Sequence, residues 1–165
     1  MKKLLLIAFL SLLTACGGEE SFTDAVIDNT PGLTAEEKSV LKIANFVKHN
    51  EGEVPPLSIF ISAGLINVDE TNKKSIIKLL TQFDFEDIDS KEKIQDIIDK
   101  YNVAIDKVEA YAEGGSDLPT VEDYLDIGII DITSAELDQL NVKISELSSI
   151  ENLNLFQIQE LFESI

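Results

Sequence analysis

The chain has 165 residues, 31 of them acidic against 13 basic, and a formal net charge of −18. Every basic residue is Lys and there is no Arg, so both the cation clusters that grip a phosphate backbone and the planar fork that clamps anions bidentately are missing, which argues against a nucleic-acid partner. One Cys and one His cannot build a disulfide, a thiolate metal site or a His-rich zinc or iron site, so stability must come from an apolar core.

Met1-Lys2-Lys3 gives a positive start, Leu4 to Leu13 is an apolar run, and Leu13-Thr14-Ala15-Cys16 closes it with small residues before cysteine. This is the pattern of a secretory signal peptide over residues 1–15. The apolar run is about half the ~20 residues a spanning helix needs, so no permanent membrane helix is expected from it. Leu13, Thr14, Ala15 and Cys16 resemble the lipobox of bacterial lipoproteins. That resemblance implies cleavage before Cys16, diacylglycerol in thioether linkage on its sulfur and an acyl chain on the new amino terminus. Gly17 in place of Asp after the cysteine implies export to the outer membrane. Two or three acyl chains hold a protein to a bilayer where one is marginal. Loss of Lys2 and Lys3 with the leader takes the formal charge from −18 to −20.

Residues 16–33 are polar and short on apolar periodicity, and read as a flexible lipid-anchored tether. Residues 34–165 read as one α-helical domain of ordinary length. Its first helix runs from Thr34, capped with Glu37, to about His49, with Val40, Ile43, Ala44 and Val47 as the apolar face.

From Pro55 onward the chain matches itself at an offset of 64 positions. Pro55 falls on Pro119, Phe60 on Tyr124, Gly64 on Gly128, Ile66 on Ile130 and Val68 on Ile132. Ile76, Leu80 and Phe83 fall on Leu140, Ile144 and Leu147, and Ile94 to Asp99 on Ile158 to Glu163. With one residue of slippage, Lys42 to Phe46 also matches Lys107 to Tyr111. The match predicts two units of about 64 residues, near 55–118 and 119–165 with the second truncated, each a short helix, a helix and a long bridging helix.

The punctuation is helical throughout. Thr120 with Asp123 caps the short helix that Gly128 ends, Thr133 with Glu136 and Asn154 with Gln157 cap the next two, and Leu137, Leu140, Ile144 and Leu147 form a stripe. Ile94, Ile97, Ile98, Tyr101, Ile105, Val108 and Ala112 line the bridging helix until Gly114-Gly115. Leu65 to Val68 and Ile129 to Ile132 are too short for a sheet and read as extended linkers. The expected fold class is all-α, a helical bundle or short solenoid. The motif residues Pro119, Tyr124, Gly128 and Thr133, with Pro55, Phe60 and Gly64 in the first unit, resemble repeats of large Gram-negative cell-surface and adhesin-like proteins. In those proteins the repeats stack as spacer or interaction modules. The first unit departs from the motif with Phe60 for Tyr, Asp69 for Thr and Ile77 for Asn.

Catalytic equipment is sparse. His49 falls where the first helix should end, beside Lys48, a placement that suits the helix dipole better than a reaction. Asp84, Glu86, Asp87 and Asp89 form a candidate calcium loop, but without the glycine of a sharp ligating turn a solvated interhelix loop is the alternative. Phe60 and Tyr124 could line a ligand groove or plug a helix junction. No catalytic residues and no cofactor beyond the lipid on Cys16 are expected. The leading expectation is a non-catalytic outer-membrane lipoprotein whose acidic helical surface meets another envelope protein or a surface polymer. A calcium-responsive spacer and a carboxylate-based envelope hydrolase are the alternatives; partner, membrane face and oligomeric state are left open.

Overall fold

The computed structural model describes residues 24–49, 54–147 and 153–165. The signal peptide, the lipobox with Cys16 and the first part of the expected tether lie outside the described residues. The described residues are helical without a strand: α1 (Asp24–Asn29), α2 (Ala35–His49), α3 (Leu57–Ser62), α4 (Lys73–Leu80), a 3-10 turn (Phe85–Asp87), α5 (Lys91–Ala112), α6 (Val121–Ile127), α7 (Ser134–Ser145) and α8 (Leu155–Glu163). None of these helices is long and apolar enough to cross a membrane.

The tether expectation is corrected at its C-terminal end. Asp24–Asn29 is a helix that packs on α2, with Ile27 buried. Lys42 pairs with the Asp28 carboxylate at 2.9 Å and Lys38 donates to the Asp28 carbonyl, so two cations sit at the carbonyl end of α1 where its dipole favours them.

Helix starts follow the side-chain chemistry. Thr34 and Glu37 exchange bonds in both directions, as do Thr120 with Asp123, Thr133 with Glu136 and Asn154 with Gln157. Before α4 the same reciprocity is made with different residues: the Asp69 amide donates to Asn72 Oδ1 at 2.9 Å and the Asn72 amide to Asp69 Oδ1 at 3.1 Å. Asp69 and Asn72 stand 64 positions before Thr133 and Glu136, so the departure from Thr keeps the reciprocal bonding in the turn ahead of α4, although the N-cap residue Asn72 makes no side-chain cap bond. Other local conformations recur at that interval. Gly64 and Gly128 are left-handed at φ 70° and 106°, and Asn67 and Asp131 are left-handed at 61° and 62°. The Leu65 amide donates back to the Phe60 carbonyl, and the Ile129 amide to that of Tyr124.

One continuous core runs from Val40 to Ile158. α5 is its axis, burying Ile94, Ile97, Ile98, Tyr101, Ala104, Ile105, Val108 and Ala112 along 22 residues, the stripe its spacing predicts. α6 packs along α5 as α3 packs along α2, and α7 and α8 close on each other at the far end. Lys107 on α5 reaches Asp123 on α6 at 2.7 Å, in a partly buried ion pair. Tyr101 is buried where α5 meets α4 and α8, its hydroxyl hydrogen-bonded with Ser75 and with the backbone of Leu155.

Candidate functional site

The motif residues assemble a helix junction and leave no groove beside the rings. Phe60 and Tyr124 are both fully buried. Tyr124 Oη donates to Asn141 Oδ1 at 2.7 Å, and Asn141 Nδ2 donates to the Pro119 carbonyl at 3.0 Å. This chain ties the entry of α6 to its middle and to α7 with its buried polar atoms satisfied. Burial pushes the Tyr124 hydroxyl far above the ordinary phenol range, so it stays a donor. Sixty-four positions earlier Phe60 and Ile77 replace this pair with two apolar side chains, also buried. Polar or apolar, the two positions change together, which is what a buried contact demands. Pro55 and Pro119 are buried ahead of the short helices, and Thr133 is spent on its cap.

The acidic loop is organised around a lysine. Asp89 pairs with Lys93 at 2.9 Å, and Lys93 Nζ also donates to the Glu86 carbonyl. The hydrogen bond that Lys93 donates to Asp89 raises the Lys93 pKa, with the charges of Asp89, Asp87 and Glu86 adding to it, so an ammonium sits among Glu86, Asp87 and Asp89. No three acidic, His or Cys side chains among the described residues gather as metal ligands. Three of the four calcium candidates, Glu86, Asp87 and Asp89, thus already act on a cation. His49 closes the last turn of α2 beside Lys48, as the dipole argument expects.

Two grooves lie elsewhere among the described residues, each lined from several elements. The first, about 580 Å³, is lined by Asn67, Val68, Asp69, Asn72, Asp99, Asn102, Val103 and Asp106. Its amides are largely bonded to one another: Asn72 and Asn102 both donate to the Asn67 carbonyl, at 2.9 and 3.1 Å. Gln95 meets both the amide and the carbonyl of Ile66, so a side-chain amide does for this linker what a neighbouring strand would do. This groove is the seat of a linker docked on α5 through Gln95 and Asn102.

The second, about 420 Å³, lies between α4, α5 and α6. Leu79 and Ile97 form a buried apolar floor, and Phe83 and Leu125 stand at the rim, 38% and 45% exposed. Asp87, Lys93, Asp96, Lys100 and Asp126 complete the lining. Lys100 is held by Asp96 at 2.9 Å. Burial raises the Asp126 pKa, the nearby charges of Glu122, Asp123 and Asp96 raise it further, and Lys100 opposes them. No protein-family model matches the chain, and no curated protein or solved structure matches it. The reading therefore rests on the surface itself.

That surface leaves large apolar side chains in water at positions 64 apart. Val54 and Leu118 are 52% and 50% exposed, Ile61 and Leu125 65% and 45%, Ile66 and Ile130 62% and 54%. Leu57 and Ile61, and again Val121 and Leu125, are four apart on α3 and α6, so each short helix carries an apolar pair from the core edge outward, and Val54 and Leu118 precede the two helices at like positions.

Proposed function

We propose that the chain is the precursor of an exported lipoprotein, cut before Cys16 and held at the outer membrane by diacylglycerol and an N-acyl chain on that residue. Its acidic domain, two copies of one helical unit, acts by contact with another envelope protein or a surface polymer and not by catalysis. The lipobox Leu13-Thr14-Ala15-Cys16 supports the address. The shared caps, left-handed positions and buried junctions at an interval of 64 support the duplicated unit.

The observation that carries the contact reading is the recurrence of exposed apolar residues in both units, at Val54 and Leu118, Ile61 and Leu125, and Ile66 and Ile130. Single exposed apolar residues are ordinary, but paired stripes kept at like positions, while interior partners such as Phe60 and Tyr124 have changed, mark a surface with a use. A photo-activatable residue placed at Ile61, Ile66 or Ile130 in cells is expected to form a discrete adduct, with none at the exposed polar positions Ser58 and Gln139. Equal labelling at both sets, or none at either, would overturn contact through these stripes.

A further inference from the structure

The groove between α4, α5 and α6 combines an apolar floor with a charge balance that selects its occupant. Leu79 and Ile97 are covered from below, while Phe83 and Leu125 flank the opening. Gln82 Nε2 donates to the Gly128 carbonyl at 2.7 Å, which ties the end of α4 to the end of α6 and fixes the distance between the two walls. A groove held in this way loses little freedom when filled.

Its two lysines are already engaged, Lys93 by Asp89 and Lys100 by Asp96, each at 2.9 Å. Asp126 lines the same groove without a salt bridge among the described residues; the charges of Glu122, Asp123 and Asp96 act on it in one direction and that of Lys100, already held by Asp96, in the other, while Asp87 faces Lys93. The groove therefore sets three carboxylates, Asp87, Asp96 and Asp126, against two lysines, an excess of negative charge beside its apolar surface. An acidic segment would meet Asp126 directly. A second processed copy would bring a further formal charge of −20, the −18 of the full chain less Lys2 and Lys3, to the same place.

We infer that this groove docks a segment of a partner protein that sets one large apolar side chain between Phe83 and Leu125 and one lysine or arginine against Asp126. The apolar side chain supplies contact area and the cation supplies orientation and selectivity, the usual division at a small interface. The inference rests on the contact reading above and names the chemistry of the partner.

The test selects a displayed random-peptide library on the full lipid-bearing chain in detergent micelles, then measures one enriched peptide by fluorescence anisotropy. Enriched sequences are expected to carry Lys or Arg near Leu, Ile, Phe or Met. Leu125→Ser is expected to weaken the enriched peptide about tenfold or more, and the near-isosteric Asp126→Asn several-fold at low salt and less at high salt. Both side chains are partly exposed, so neither variant empties the core, and an unchanged helical circular-dichroism spectrum checks this. Enrichment of acidic peptides, enrichment of nothing, or affinities that both variants leave unchanged would overturn the inference. If adducts still form in cells at Ile61, Ile66 or Ile130, the contact role survives and only this groove is refuted; if they do not, both fall.

Discussion

The buried pair Tyr124 and Asn141 gives the sharpest energetic expectation. Removing the hydroxyl in Tyr124→Phe takes away one bond of 2.7 Å and leaves Asn141 Oδ1 without its donor, for a loss of about 1–2 kcal/mol. Asn141→Ile does more damage. It strands the Tyr124 hydroxyl, which is fully buried, and also removes the donor to the Pro119 carbonyl, so about 2–4 kcal/mol is expected. The double variant installs the Phe and Ile found 64 positions earlier and has no stranded hydroxyl. Only the Pro119 carbonyl then lacks its partner. The pair should therefore lose about 1–2 kcal/mol less than the sum of the single losses. Urea unfolding of all four chains at a common m-value measures this. Strict additivity would refute the argument that the two positions exchange polar and apolar character as one contact.

A β-carbon at Gly128 would lie 2.8 Å from Leu155 Cδ1 and 3.2 Å from Leu79 Cδ1, at φ 106°, so Gly128→Ala is expected to cost about 2–4 kcal/mol. At Gly64 the nearest obstacle is the mobile tip of Lys91, and about 1 kcal/mol is expected there, both by urea denaturation. Burial works to raise the Asp123 pKa, but Lys107 and Thr120 hold it below 3.8, so its contribution is complete above that value and lost as the pH falls through the folded pKa. Asp123→Asn should flatten the acid limb of a plot of thermal midpoint against pH. Asp126 is raised above 3.8, chiefly by burial, so Asp126→Asn should stabilise the fold at pH 7, with the gain gone below the unfolded pKa; that variant would be firmer and bind worse. Millimolar calcium is expected to leave the thermal midpoint where it is, because Lys93 occupies the acidic loop; a rise abolished by Asp89→Asn would show that the loop takes the ion.

The features legible in the sequence are those made by neighbours along the chain. Thr34 with Glu37, Thr120 with Asp123, Thr133 with Glu136 and Asn154 with Gln157 announce their helices because a cap needs only residues three apart. The stripe from Ile94 to Ala112 fixes the face of α5 for the same reason. α1 was not legible, because its one buried residue, Ile27, and its clamping lysines belong to a contact with α2 that no local pattern encodes. Asp69 and Asn72 make the reciprocal turn ahead of α4 with exchanged chemistry, which the Thr-x-x-Glu pattern does not announce. The acidic loop looked like a cation site because Lys93 is one turn into the next helix, and its reach back to Glu86 is tertiary. Both grooves draw their linings from separate elements, so neither leaves a signature in any one stretch; the exposed Phe83 beside an otherwise capped helix end was the nearest local sign.

The lipid on Cys16 is the claim from which the membrane address and the choice of partner both follow, and intact-mass analysis of the chain recovered from membranes tests it most directly. The expected species begins at Cys16 and carries the added mass of diacylglycerol and one N-acyl chain, and Cys16→Ala abolishes both processing and the added mass. A chain recovered from the soluble fraction with a free Cys16 thiol, or with Met1 to Ala15 still attached at its normal level of expression, would contradict the account.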